Sequence, residues 1–382
     1  MESRGIKVKK MRIAQLATNV ESVPPGGYGG TELIVSLLTE ELIARGHEVT
    51  LFATGDSKTK ARLISTIAGP LRTATDQPST RWPAFDIRTL IELEKRQGEF
   101  DIVHNHMGWQ ALPCLNNLHK SGLSVLSTNH NPVKDYVRDI YFEYAKLPFI
   151  AISESYARLN YPERINYAAT VYNGIDINLF AGSDQKIREG LLFIGRLGQD
   201  KGTAKAIDIA RALDMPITLA GKVDKNDEDY FQKEVQPRLA AYDKAKFIGE
   251  VNLTQKIELY KSAIAVVYPI DFEEPFGLVM AESLAAGTPV MAFDRGSVRE
   301  VLEDKVTAVI GKTEDDLIKR FPEIKKMSAE ACRKRAFDNF SVKKMVDSYE
   351  HVYIQLLDQK NRFKSEPEHF SDRGGLLQPE LK

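Results

Sequence analysis

Two stretches of this chain carry one pattern. An apolar run of strand length leads into a glycine-bearing loop, then a segment with helical period, then a second apolar run. In the first stretch the order is Met11–Ala17, loop, Thr31–Arg45, Val49–Ala53; in the second it is Leu191–Ile194, loop, Thr203–Leu213, Ile217–Ala220. Apolar residues at every position of a run, rather than at alternate ones, require burial on both faces, which a parallel sheet covered by helices supplies. Further runs of this kind are Ile102–His104, Val125–Thr128, Phe149–Ile152, Lys246–Ile248, Ala263–Tyr268 and Val290–Phe293. The fold class is therefore α/β, with two doubly wound Rossmann-like domains facing across a cleft. A length of 382 residues suits two domains, at about 100–200 residues each.

Turn residues in NGIDINLFAGSD, Asn173–Asp184, put the division there. The expected bounds are 1–172, 173–340, a helix at 341–357 with Ser341 as N-cap, and a polar, mobile tail at 358–382. Asp76–Pro83 reads as a loop. Lys+Arg number 52 and Asp+Glu 53, so no bulk charge argues for a nucleic-acid partner. The two cysteines, Cys114 and Cys332, form no pair-spaced motif; a disulfide scaffold is excluded and a reducing cytoplasm fits. No apolar run is long enough to span a bilayer, and no secretory apolar segment follows the basic Met1–Lys10.

Three loops carry chemistry. PPGGYGG, Pro24–Gly30, opens a helix: its glycines let a ligand approach the backbone, and free N–H groups at a helix start attract phosphate. Glu32 stands where the dinucleotide fingerprint needs a third glycine, so that motif is absent. In FIGRLGQDKG, Arg196 and Lys201 flank a turn from strand to helix, and two cations there suit a diphosphate. In EEPFGLVMAESLAAGTPV, Glu274 precedes a helix at Gly277–Ala286 and Glu282 lies on its second turn. Carboxylates so placed accept hydrogen bonds from sugar or ribose hydroxyls; as plain complements to a helix dipole they contribute about 0.3–1 kcal/mol.

Together these loops, with VYNGIDINLF and FIGEVN, resemble the retaining GT-B glycosyltransferases of family 4, from about Met11 to Leu357. Glu274 and Glu282, with seven residues between them, match that family's paired-glutamate signature. The resemblance implies an acceptor-side first domain, a second domain that binds a nucleotide sugar, and a helix returning to the first. It implies that Gly29 and Gly30 face the donor diphosphate and that Arg196 and Lys201 neutralise it. Glu274 and the backbone of Phe276, Gly277 and Leu278 would hold the donor sugar, Glu282 the ribose, and the main chain around Val251 the base. His130, in STNHNP, would touch the sugar's C6 hydroxyl. The catalytic set is then Glu274, Arg196, Lys201 and His130, with no metal ligands and no cofactor beyond the donor substrate.

His104 and His106 are spaced to face one way on a strand, and an HxH pair can hold zinc. No third ligand follows nearby, so a supporting or acceptor-side role is expected. Asp227, Glu228 and Asp229 read as solvated acids at a helix start. The implied reaction moves a hexose, glucose from UDP-glucose as first choice, to a small-molecule or glycan acceptor with retention. The alternatives are a mannosyltransferase using GDP-mannose and an inactive nucleotide-sugar-binding protein; an epimerase or a phosphorylase of related fold is a more distant reading. Phe85–Arg96 mixes Asp86, Glu92 and Glu94 with Arg88, Lys95 and Arg96, which suits a solvated helix better than an anchor to anionic lipid. A soluble acceptor and a cytoplasmic enzyme are favoured over a membrane-associated one.

Overall fold

The computed structural model describes residues 10–27, 29–74, 77–180 and 188–365. The first half is built on β1 (Arg12–Leu16), β2 (Glu48–Phe52), β3 (Arg62–Ile64), β4 (Ile102–Asn105), β5 (Ser124–Asn129), β6 (Phe149–Ala151) and β7 (Tyr167–Thr170). They form one parallel sheet in the order β3-β2-β1-β4-β5-β6-β7. The second half is built on β8 (Leu191–Ile194), β9 (Ile217–Ala220), β10 (Ala245–Phe247), β11 (Ala265–Tyr268), β12 (Val290–Phe293) and β13 (Ala308–Gly311). These too are parallel, in the order β10-β9-β8-β11-β12-β13. Strand order reverses between β1 and β4 and again between β8 and β11, so a crevice opens beyond the carboxyl ends at each place.

Continuous apolar strands are explained by what covers them. One face of the first sheet packs Ile13, Ile102, Leu126 and Ile150 against Ile34 and Leu38 of helix Gly30–Ala44 and against Tyr349 and Val352 of helix Val342–Ser365. The other face packs Ala14, Val103, Val125 and Phe149 against Leu90, Leu93, Leu112 and Leu115. All ten expected runs are strands, within two residues at each end. The three strands absent from the expectation, β3, β7 and β13, are all sheet edges. β3 and β7 are partly exposed, whereas β13 is buried.

Two stretches join the halves, and they run side by side. Ile175 N–H donates to Phe340 O (2.8 Å), and Val342 N–H donates to Ile175 O (3.2 Å). A Cβ on Gly174 would lie 2.9 Å from Val342 Cα, so the close approach requires glycine. Of the expected boundary Asn173–Asp184, residues 181–184 lie outside the described residues. Ser341 does cap the helix after it, accepting from Lys344 N–H at 3.3 Å. That helix continues past Leu357 to Ser365, so residues 358–365 are helical and not part of a tail; the rest of the expected tail lies outside the described residues.

The expected loop at Asp76–Pro83 is corrected in its second half. Ser79–Arg81 forms a turn of 3₁₀ helix, and Trp82 and Pro83 open helix Trp82–Glu94, where proline's missing N–H costs nothing. Asp76 lies outside the described residues. Among the described residues no helix is long and apolar enough to cross a membrane. Both cysteines are buried and unpaired.

Candidate active site

Every loop singled out above leaves the carboxyl end of a strand: Gly29 and Gly30 follow β1, His106 follows β4, His130 follows β5, Arg196 and Lys201 follow β8, and Glu274 follows β11. The loops from the two halves meet. A Cβ on Gly30 would lie 3.5 Å from Leu278 Cδ1, and one on Gly27 would lie 3.9 Å from a Glu250 carboxylate oxygen. Ser153 Oγ donates to Pro275 O at 2.6 Å, and Glu300 accepts from Glu154 N–H, Ser155 N–H and Tyr172 OH. The residues on either side of the cleft are thus held in register by direct bonds between the halves.

Glu274 is 8% exposed. Its Oε2 accepts from Tyr268 OH at 2.5 Å and from Lys201 Nζ at 3.3 Å. Lys201 also lies over the Phe272 ring, 4.2 Å from its centroid. The loop is clamped from behind: Ser297 N–H donates to Glu274 O (2.9 Å) and Ser297 Oγ to Phe276 O (2.9 Å). Gly277 is left-handed (φ 81°) and caps helix Leu278–Ala285; a Cβ there would lie 3.2 Å from Glu274 Cγ and 2.4 Å from Met280 Cε. The helix starts one residue later than the sequence suggests, so Gly277 and Phe276 precede it and the N–H of Leu278 is its first. The Phe276 side chain is buried beside Tyr172 and Phe340, at the joint between the halves.

Glu282 is 5% exposed and points to the neighbouring helix Leu253–Ser262, accepting from Lys256 Nζ (2.6 Å) and Tyr260 OH (2.9 Å). An ionised carboxylate offers about four lone-pair positions, so acceptor capacity remains for a hydroxyl. Val251, half-buried, precedes the capping box of that same helix. Arg196 donates to Asp200 Oδ2 at 2.5 Å and to Asp227. Asp227 is therefore the partner of Arg196 and not a solvated acid; Asp229, paired with Lys233, does sit at the surface.

The histidines form one connected group. His130 Nε2 lies 2.9 Å from His106 Nδ1, and His106 Nε2 lies 2.9 Å from Gln15 Oε1. Gln15 Nε2 donates to Tyr353 OH at 3.2 Å; that oxygen is 2.7 Å from His104 Nδ1, and His104 Nε2 is 2.8 Å from Thr128 Oγ1. Burial holds His130 down at about 4 and keeps His104 and His106 well below the ordinary histidine range, with neighbouring rings adding to the effect on the last two. All three rings are neutral near pH 7. Their facing nitrogens are engaged with one another and with Gln15, Tyr353 and Thr128, and among the described residues no group of three or more His, Cys, Asp or Glu side chains could hold a metal ion.

Residue spacing gave no sign of Tyr260, Ser297, Gln15 or Tyr353, because each reaches its partner across the fold; Tyr268, at the end of β11, stands close in sequence to Glu274 but went unmarked by any motif. Lys256 and Tyr260 are separated by one helical turn, the one local hint that both serve a single carboxylate.

The model for glycosyltransferase family 4 matches residues 28–179, and that for the glycosyl transferases group 1 matches residues 181–337. The chain belongs to glycosyltransferase family 4. This glycosyltransferase is 27% identical, over 343 residues, to the phosphatidyl-myo-inositol mannosyltransferase of Mycolicibacterium smegmatis, covering 81% of the present chain and 86% of that relative. It is 26% identical over 329 residues to an uncharacterized glycosyltransferase of Methanocaldococcus jannaschii (75% and 82% covered). In fold it is similar to the sucrose-phosphate synthase of Thermosynechococcus elongatus (TM-score 0.74, 18% identity, 92% of this chain and 100% of that one). Anabaena HepE in complex with UDP is a second neighbour (TM-score 0.72, 18% identity, 90% and 100%). The architecture is GT-B, two Rossmann-like domains.

Proposed function

We propose that this glycosyltransferase moves a hexose from a nucleoside-diphosphate sugar to a small-molecule or glycan acceptor, with retention at the anomeric carbon. The observation that carries the reading is the contact between Lys201 and Glu274, groups 73 positions apart that meet between β8 and β11, in a segment whose Leu278 lies against Gly30. A cation and a carboxylate side by side match a substrate that carries phosphates at one end and hydroxyls at the other. Gly29 and Gly30 would face the diphosphate and Arg196 and Lys201 would neutralise it. Glu274, with the backbone of Phe276, Gly277 and Leu278, would hold the sugar. Glu282 would take the ribose hydroxyls, the main chain near Val251 the base, and His130 the C6 hydroxyl.

In the reaction the bond from the anomeric carbon to the diphosphate oxygen breaks, a bond to the acceptor oxygen forms on the same face, and the acceptor's proton passes to the departing phosphate. Negative charge grows on the diphosphate as it leaves, which is where fixed positive groups lower the barrier most. Arg196 and Lys201 now face Asp200, Asp227 and Glu274, so binding of diphosphate involves an exchange of partners. UDP-glucose is the donor proposed first, supported by the resemblance to HepE bound to UDP. GDP-mannose is the second reading, supported by the mannosyltransferase named among the relatives.

Thermal shift with UDP-glucose, GDP-mannose and their nucleotides tests the donor; at about 100 Kd a binder adds about 2.7 kcal/mol. Turnover with an acceptor extract separates an enzyme from a binding protein. Activity is expected to survive EDTA, because Arg196 and Lys201 supply the charge a leaving diphosphate needs. Complete loss of activity, restored by Mn²⁺ or Mg²⁺, would return Asp227 or the His104 and His106 pair as ligands.

A further inference from the structure

One face of the first sheet changes character along its strands. Read toward the cleft, the residues on that face are Ile13 and Gln15 on β1, Ile102 and His104 on β4 with His106 beyond it, and Leu126 and Thr128 on β5 with His130 beyond it. Apolar side chains meet the covering helices near the amino ends, and polar ones replace them near the carboxyl ends. The polar groups form a single hydrogen-bonded path from the cleft to the returning helix, through His130, His106, Gln15, Tyr353, His104, Thr128 and Tyr349.

A path of this kind carries its protons in one sense at a time. Gln15 Oε1 can only accept, so the His106 nitrogen beside it, Nε2, bears the hydrogen. His106 is neutral, so its Nδ1 is bare and accepts from His130 Nε2–H. His130 is neutral as well, so with Nε2 carrying the hydrogen its Nδ1 is a lone pair; among the described residues the ring bonds through Nε2 to His106. At its other end the Gln15 amide donates to Tyr353 OH, in keeping with this orientation. The Tyr353 hydrogen then goes to His104 Nδ1, and His104 Nε2–H goes to Thr128.

We propose that Gln15 is a positioning residue for His130: acting through His106, and held in turn by Tyr353 of the returning helix, it fixes the His130 ring as its Nε2–H form, so that Nδ1 meets the cleft as a hydrogen-bond acceptor. This rests on the reading of His130 as lining the donor-sugar site. An acceptor there takes the hydrogen of a hydroxyl and repels a carboxylate. The site therefore selects donor sugars whose C6 is a hydroxymethyl group over hexuronic acids, and over 6-deoxy sugars that have no hydrogen to give.

The test begins with the ligand-free full chain, labelled with ¹⁵N-histidine, whose long-range ¹H–¹⁵N correlations distinguish the two ring forms. Nε2–H on both His106 and His130 is expected; Nδ1–H on both would mean that Gln15 presents its amide the other way, and would overturn the proposal. In Gln15→Leu the two rings should lose the Nε2–H preference, and Tyr353→Phe, which frees the far end of Gln15, should move them the same way by less. An unchanged pattern in a folded Gln15→Leu chain would remove Gln15 from the role. With donor present, wild type should prefer UDP-glucose over UDP-glucuronate, and Gln15→Leu should narrow that preference about tenfold, the loss of one hydrogen bond. Equal use of the two donors by wild type would overturn the selectivity. Binding of no nucleotide sugar at all would instead count against the transferase reading, while the ring forms would still be readable.

Discussion

Glu274 shows how a residue's role depends on its company. Tyr268 and Lys201 hold its carboxylate, and Ser297 its backbone carbonyl, in place before any substrate arrives. If it bonds the donor sugar in the transition state, Glu274→Ala removes a charged acceptor contributing about 1.5–3 kcal/mol, and kcat should fall about 10- to 150-fold. Steady-state kinetics on the folded variant checks this; turnover close to wild type would reject the assignment. The three histidines give a second expectation. Their native values lie below the unfolded one, so as pH falls below about 6.5 the unfolded chain binds protons that the native chain refuses. These groups therefore contribute stability above about pH 6.5 that is lost as pH falls toward 4, at up to about 1.4 kcal/mol per ring per pH unit. Calorimetry in several buffers at about pH 5.5 should register a net uptake of protons on unfolding from these rings.

At the scale of elements, the returning helix Val342–Ser365 is fastened by charge as well as by its apolar stripe. Glu350, only 7% exposed, accepts from Arg45 Nη1 (2.6 Å) and His47 Nε2 (2.8 Å). His47 can donate there because its other nitrogen accepts from Met11 N–H at 3.2 Å. Arg45 also reaches Asp347 and Lys343 O on the same helix. Glu350→Ala leaves an arginine and a histidine donor without their acceptor, and should cost about 3 kcal/mol. The first unfolding transition in a thermal scan should fall by several degrees, with nucleotide binding by the second half retained. An unchanged midpoint would mean that the apolar stripe of Met345, Val346, Tyr349 and Val352 suffices. The helix itself was legible from its period and from Ser341. Its buried ion cluster was not, because Arg45 and Glu350 stand 305 positions apart.

For the whole molecule, the decisive geometry is a pair of crossing segments, 173–175 and 340–342, bonded side by side. Two short crossing segments joined by a single bridge can serve as a hinge, provided the bonds from Ser153 to Pro275 and from Glu154, Ser155 and Tyr172 to Glu300 give way or move with it. If, as proposed, a diphosphate is touched by Gly29 and Gly30 from one half and by Arg196 and Lys201 from the other, it will bind the closed form better and so shift the population toward it. Saturating UDP should reduce the radius of gyration in solution scattering. Replacing Arg196 and Lys201 together with Ala should abolish that change while both halves stay folded. A scattering profile unaltered at saturating nucleotide, with binding measured independently, would contradict closure.

The architecture and the loops were legible from the amino-acid order alone. Ten apolar runs could be buried on both faces only in parallel sheets, and the order of strand, glycine loop and helix at the head of each half announced the two domains. It also named the residues that end up at the carboxyl ends, since Gly29, Gly30, Arg196, Lys201, Glu274 and His130 sit in loops whose place follows from the strands before them. Tertiary structure alone decided which groups face each other. Lys201 meets Glu274, Arg196 meets Asp227, Glu282 turns to Tyr260, and Gln15 links two histidines to a tyrosine near the far end of the chain. The physical reason is range: burial and backbone geometry act over a few residues and leave a period in the sequence, whereas a hydrogen bond acts over about 3 Å in space and leaves no trace in spacing when its partners lie on different strands.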